Sequence, residues 1–427
     1  MLPDGWTLQP LGKLTENFDA LRRPVKSADR SPGPYPYYGA SGVVDYVDDY
    51  IFDGEHLLIA EDGENLRTRQ TPIAFLARGQ FWVNNHAHIV RGNRNALTRY
   101  LNYALTVKDI SGYLTGSTMP KLTQGNMNRI VLSAPPIQEQ EAIVETISVL
   151  DDKIDLNRRM NETLEAMARA LFKSWFVDFD PVHAKAEGRH PPHMDTETAA
   201  LFPDGFNDEG LPEGWILSKM EDVAAQIAMG PFGSNIKVST FVPDGIPIIS
   251  GQHLNSILLE DNTYNYITEE HANSLKRSNV KRGDIIFTHA GNIGQVSLVP
   301  DASKYDRYII SQRQFYLRCN MNKVLPSFIL YFFKSHTGQH RLLANTSSTG
   351  VPSISRPASN LKQISFCLPD KPVLSAFDDL VCEFHNKISA NRHENETLTD
   401  LRNTLLPKLM SGEIRVRGAE KEVEAAT

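Results

Sequence analysis

Leu2–Trp6 reads LPDGW, and Leu211–Trp215 reads LPEGW. One five-residue opening written twice, 209 residues apart, raises an internal duplication before any fold assignment is attempted. The correspondence returns downstream at a constant offset of 234: NETL at Asn161–Leu164 falls on NETL at Asn395–Leu398, Lys153-Ile154 on Lys387-Ile388, and Asn157 on Asn391. Just upstream, STMPKLTQGNMNRI (Ser117–Ile130) is similar to STGVPSISRPASNLKQI (Ser348–Ile364), with a short gap between the two registers. The chain therefore reads as opening, block and closing segment, and the same again, the second block being 25 residues longer.

The closing segments carry a helical period. Apolar residues recur at steps of four and three: Ile143, Ile147, Leu150, Ile154, then Leu164, Ala168, Leu171 and Trp175. The second copy gives Phe377, Val381, Phe384, Ile388, then Leu398, Leu405 and Leu409. Such a seam predicts helices that pack along their length as a coiled coil. Four seam positions are polar, Asn157 and Asn161 in one copy and Asn391 and Asn395 in the other. A buried Asn fixes register and orientation at a cost in stability, whereas at the rim of a wide bundle it costs little; both placements stand. A helix of about 36 residues is about 54 Å long. Pro135-Pro136 and Pro369 precede the two starts, Pro407 is expected to kink or stop the second helix, and Ser411-Gly412 supplies a stop signal.

The blocks between are rich in Gly, Pro, Tyr and Asn, with short apolar runs such as IPIIS (Ile246–Ser250), GDIIFTHAG (Gly283–Gly291), QFYLR (Gln314–Arg318), HLLIAEDG (His56–Gly63) and AHIVRG (Ala87–Gly92). These predict strands of a small mixed α/β domain, with short helices at YLNYAL (Tyr100–Leu105) and FILYFFKS (Phe328–Ser335). The expected organisation is a first block at 1–136, a helix at 137–179, a connector at 180–210, a second block at 211–370, a helix at 371–412 and a flexible tail at 413–427. The fold class is α/β (α+β), two similar mixed blocks and two long helices in a pseudo-two-fold internal repeat.

Composition excludes several classes. No apolar run approaches the roughly 18 residues that span a bilayer, and MLPDGWTLQP lacks the basic and apolar regions of a signal peptide. Cys319, Cys367 and Cys382 fit neither a disulfide framework nor a cysteine zinc site, so a reducing cytoplasm is expected. The three histidines of the connector, His183, His190 and His193, read as linker residues rather than metal ligands. The formal net charge is −7, yet residues 1–136 carry 14 basic and 13 acidic side chains and residues 211–370 carry 15 and 12. The acidity lies elsewhere, so the blocks are compatible with DNA. There is no GxxxxGK[ST], strand-linked GxGxxG or HExxH, and Asp178–Pro181 lacks the second Pro and the aromatic residue of an amino-methyltransferase motif. A binding protein is expected.

Beyond these readings, the LPxGW opening, PPIQEQEAI (Pro135–Ile143), ARALFKSWFVDFDPV (Ala168–Val182), GPFGSNIKVS with GIPIISGQHL (Gly230–Leu254) and GDIIFTHAGNIG (Gly283–Gly294) resemble the specificity subunit of Type I restriction-modification systems. The resemblance covers essentially the whole chain. It implies two target-recognition domains, each reading one half of a bipartite asymmetric DNA target, and two long antiparallel helices whose coiled coil sets the spacing and docks two methyltransferase (modification) subunits. It also implies motor-nuclease (restriction) subunits as partners, and places S-adenosylmethionine, ATP and Mg in those partners rather than in this chain. Two alternatives remain: a non-enzymatic protein-interaction scaffold with duplicated domains, and a stand-alone DNA methyltransferase or nuclease.

Base readout favours Arg or Lys on guanine and Asn or Gln on adenine. In the first block the candidates are Arg67, Arg69, Asn84, Asn85 and His86, with a basic cluster at Arg22, Arg23 and Lys26. Tyr37 and Tyr38 precede Gly39 in an expected loop able to approach a backbone closely. In the second block they are Ser234, Asn235 and Lys237, then His289 and Asn292, then Gln312, Arg313 and Gln314. Ser117-Thr118 and Ser348-Thr349 recur before each helix entry and read as approach turns or as residues facing DNA, the turn reading being preferred. On the helices, Phe172, Trp175 and Phe176 are more apolar surface than one seam uses, which predicts a docked partner.

Overall fold

In a computed structural model, which describes residues 2–347, 350–416 and 418–419, Ile137–Phe176 and Lys371–Ser411 are single α-helices of 40 and 41 residues. The first begins directly after Pro136, whose carbonyl accepts from the Glu139 and Gln140 amides. It ends where Phe179 takes a left-handed φ of 54° and Asp180-Pro181 opens a new short helix. The second ends at Gly412, φ 73°, on the expected stop. Pro407, expected to kink or stop that helix, lies within it.

The chain forms two compact units, Met1–Leu156 with His393–Thr427, and Asn157–Arg392. Each long helix is divided between them. In the first unit Ile143, Ile147, Leu150 and Ile154 share a core with Leu398, Leu405 and Leu409. Arg402 donates to Asp151 at 2.9 Å and the Asn395 amide to the Ile154 carbonyl at 3.4 Å, so the two helices run antiparallel there. In the second unit Ala168, Phe172, Trp175 and Phe176 share a core with Phe377, Val381 and Ile388, and Leu164, Leu171 and Phe384 pack at its edge. Asn391 Nδ2 donates to Asn161 Oδ1 at 2.8 Å. Asn157 and Asn391 are buried and Asn161 and Asn395 half-buried, so the seam holds one buried Asn from each helix.

The expectation that Phe172, Trp175 and Phe176 face a partner is corrected. All three are buried in the unit's own core, against Phe202, Trp215, Phe328 and Phe377. The surplus apolar surface is covered by the block and by the connector. That connector holds helices at Asp180–Ala186 and Thr196–Ala200 and sinks Val182, Ala184, Ala199 and Phe202 below the surface. Of the tail, Ile414 and Val416 pack on the first unit, Arg415 pairs with Glu139 at 3.0 Å and Ala419 is buried, while 417 and 420–427 lie outside the described residues.

The blocks share a common strand framework, to which the second adds Asn279–Val280 at the edge of its smaller sheet and the pair Thr346–Ser347 with Ser353–Ile354. Thr7–Pro10 pairs with Val131–Ala134 and Ile216–Lys219 with Ser365–Leu368, all antiparallel. The registers Thr7↔Ala134 and Ile216↔Leu368 carry the 209 and 234 offsets of the sequence motifs into the ladder. Each unit then has a four-stranded sheet. In the first its order is Thr15–Asn17, Ala87–Gly92, His56–Ala60, Ala74–Ala77, and in the second Ala224–Met229, Gln314–Cys319, Ile285–Thr288, Val296–Leu298. Leu57↔Val90 answers to Ile285↔Leu317. A smaller sheet centres on Tyr35–Gly39 in one unit and Ile246–Ile249 in the other. Each central strand carries a parallel neighbour, Tyr37↔Trp82 and Tyr38↔Val83 against Ile248↔Ile309 and Ile249↔Ile310. The expected short helices are Thr98–Val107 and Pro326–Lys334.

Candidate nucleic-acid interface

Four segments meet in the first unit through backbone hydrogen bonds: Asn84 N to Tyr38 O at 3.0 Å, Glu61 N to His86 O at 2.9 Å, Leu122 N to Glu61 O at 2.8 Å, and Gly63 N to Pro120 O at 3.2 Å. The second unit repeats each one: Ser311 N to Ile249 O at 2.8 Å, His289 N to Arg313 O at 2.9 Å, Ile354 N to His289 O at 2.8 Å, and Gly291 N to Pro352 O at 3.0 Å. The turn Asn84–His86 is thus the counterpart of Ser311–Arg313, joining the same two strands with the same number of residues. One backbone frame presents Asn-Asn-His in one unit and Ser-Gln-Arg in the other. Turns held by a rigid sheet are where binding residues concentrate.

In the first unit Asn84 is buried and its Oδ1 accepts from the His86 amide at 2.8 Å, so it shapes the turn. Asn85 and His86 are exposed, and the His86 ring lies 2.8 Å from Asp62. Beneath them Glu61 gathers Arg22 at 2.8 Å and Lys121 at 3.3 Å. His88 spans Asp19 at 2.6 Å and the Leu122 carbonyl at 2.7 Å. Burial pushes the Glu61 and Asp19 carboxyls up, but hydrogen bonds from Arg22 and His88 and the nearby cations outweigh it and hold both below the usual range. Arg22 is therefore committed to this network, while Arg23 and Lys26 are exposed beside it. Tyr37 is buried, its hydroxyl bonded to the Val25 amide at 3.0 Å and its ring under Arg30 at 4.4 Å. Half-buried Tyr38 packs on Phe75 and Phe81. Arg67 donates to the Gly116 and Ser117 carbonyls at 2.9 and 3.3 Å, and Arg69 to those of Thr106 and Lys108. Both are bonded to backbone carbonyls, Arg67 while remaining exposed and Arg69 half-buried. Arg30, which pins Tyr37, was not among the sequence candidates.

In the second unit Gln312 and Arg313 are exposed on the turn and Asn292 is exposed on the neighbouring hairpin. Gln314 is buried, accepting from the Ser311 hydroxyl, and so supports the turn from below. Half-buried His289 contacts the Gln312 carbonyl at 3.1 Å, and burial lowers its pKa, keeping the ring neutral. A Cβ on Gly230 would stand 1.9 Å from the Ser311 carbonyl oxygen, so only glycine lets this strand end pass beneath the turn. Asn235 and Lys237 are exposed on the segment that follows, where the Asn235 carbonyl accepts from His271 at 2.8 Å. Ser348, Thr349 and the side chain of Ser234 lie outside the described residues. Phe232, 69% exposed, and the adjacent cations Lys276 and Arg277 were missed in the sequence. The signal available was the KR pair and an aromatic residue held between glycines.

Among the described residues no group of His, Cys, Asp and Glu could hold a metal ion. Burial pushes up the thiols of all three cysteines, Cys367 to about 11 and Cys382 to about 12, which leaves them poor nucleophiles at neutral pH. No helix among the described residues is long and apolar enough to cross a membrane.

The family model for the Type I restriction modification DNA specificity domain matches residues 3–166 and again 212–391. The chain is 28% identical over 345 residues to the Type I restriction enzyme HindI specificity subunit of Haemophilus influenzae, covering 70% of this chain and 72% of that one. It is 24% identical over 449 residues to the MjaIX specificity subunit of Methanocaldococcus jannaschii, covering 97% and 95%. A solved S subunit of a Type-I restriction-modification system from M. genitalium shares the fold at 15% identity, with a TM-score of 0.56, over 96% of this chain and 98% of that one.

Proposed function

Because this chain belongs to the family of the Type I restriction modification DNA specificity domain, we propose that it is the DNA-recognition subunit of a Type I restriction-modification complex. Each unit reads one half of a bipartite, asymmetric target through the turn at Asn84–His86 or at Ser311–Arg313. The paired long helices set the spacing between the halves and dock two modification subunits. The observation that carries the reading is the repeated frame: eight backbone hydrogen bonds, four in each unit, hold the same segments together while the side chains on the turns differ. Retained geometry with exchanged amide and guanidinium groups suits two unlike half-sites.

In this reading the chain is non-catalytic. S-adenosylmethionine serves the modification subunits, and ATP with Mg serves the restriction subunits, all in the cytoplasm. The test is to co-express the chain with its modification subunit and map methylated adenines in the host genome. A split motif is expected, and exchanging residues 1–136 for the equivalent block of another system changes one half of it only. Methyl transfer by the purified chain alone, or a change in both halves, overturns the assignment.

A further inference from the structure

Beside the Ser311–Arg313 turn the second unit contains a cavity of about 470 Å³. One wall is the strand end Met229–Phe232, entered through Gly230, whose amide donates to the Gln314 carbonyl at 2.9 Å. The segment Ser274–Ser278 forms the second wall, and Ala358, Ser359 and Lys362 the third. Three cations line it, Lys276, Arg277 and Lys362, and no carboxylate does. All three are exposed, and among the described residues no carboxylate pairs with them. Several other cations of this unit sit on carboxylates: Arg318 on Asp284 at 2.6 Å, Arg282 on Asp306 at 2.8 Å, Lys185 on Asp204 at 2.9 Å. Three unmatched positive charges around one concavity repel one another and concentrate an anion there. Apolar surface adjoins them, since Phe232 on the rim is largely exposed.

We infer that this cavity receives backbone phosphate of the bound duplex, flanking the half-site read by Gln312 and Arg313. The inference rests on the reading of the turn as a DNA contact. Because the cavity shares Gly230 with the floor of that turn, a strand whose base edges meet the turn brings a neighbouring phosphate to the cations. Phosphate contacts position the protein without reading sequence. The three cations therefore set affinity and leave the recognised bases unchanged.

The test uses the complex with the modification subunit. Lys276→Gln, Arg277→Gln and Lys362→Gln are combined, and duplex binding is measured across a salt series. Replacing three phosphate contacts lowers the slope of log K against log salt by about three, weakens specific and non-specific duplexes alike, and preserves the methylated motif. An unchanged slope with an unchanged thermal midpoint overturns the inference, as does an altered motif. If the unsubstituted complex fails to bind duplex at all, the DNA reading falls instead. In a second arm an amine-modifying reagent labels Lys276 and Lys362. Protection by duplex but not by inorganic phosphate at equal phosphate concentration supports the inference, and equal protection by inorganic phosphate overturns it in favour of a free-anion site.

Discussion

Arg313 and Gln312 extend from a turn supported by committed groups: Gln314 below, His289 beside, Gly230 underneath. The exposed pair is free to meet a base edge. Arg313→Ala is expected to cost about 1–3 kcal/mol at one base pair, relaxing one position in one half of the methylated motif. Sequencing methylated adenines checks this, and Asn85→Ala should act on the other half. A different residue contributes to the loss of stability in acid. His385 is buried, its Nε2 is 3.0 Å from the Tyr331 hydroxyl, and burial, helped by Arg392, lowers its pKa to about 4. As pH falls through about 6.5 the unfolded chain takes up this proton while the folded unit does not, so stability falls until about pH 4 and no further from this group. At most about 3 kcal/mol is involved. Urea midpoints between pH 7 and 4.5 should decline, and His385→Gln should flatten the decline.

Asn161 and Asn391 make a polar contact inside the helix pair of the second unit. Asn391→Leu removes the partner of the half-buried Asn161 amide and should cost about 1 kcal/mol. Adding Asn161→Leu should recover most of it, so a double-mutant cycle on thermal unfolding should return a coupling above 0.5 kcal/mol, the lower end for residues in contact. These helices were legible in the sequence because their seam has a fixed period, a repeated NETL lies within each, and Pro or Gly stands beside their ends. The sheets were legible only as separate runs. Their equivalence was hidden because the offset slides along the chain: Tyr38 answers to Ile249, Ile59 to Phe287, His88 to Phe315 and Leu122 to Ile354. Each change of offset is an insertion in a loop, which costs a folded sheet little. The candidate side chains were half legible. Asn85, Gln312 and Arg313 are exposed as a reader needs, whereas Tyr37, Gln314, Arg67 and Arg69 are of the right chemical type but spent on structure. Residue type alone does not report burial, and the cluster that uses Arg22 joins residues up to 102 positions apart.

For the whole molecule, the proposed role of the helices makes target spacing a matter of length. Inserting seven residues at 156/157 and seven at 392/393 keeps both seams in phase and adds about 10 Å, which is about three base pairs at 3.4 Å each. The methylated motif should keep both halves and gain unspecified positions between them; loss of either half would contradict the role. The way the chain is shared out also bears on how it is made. Residues 157–392 are contiguous, but the first unit draws its second helix from 393 onward. A ribosome thus releases all of the middle unit before the amino-terminal half receives Leu398, Leu405 and Leu409 to close its core, inverting the customary order in which the earliest-made domain folds first. A premature stop just past Arg392 would spare the later-synthesised reader and leave the earlier one unable to finish folding.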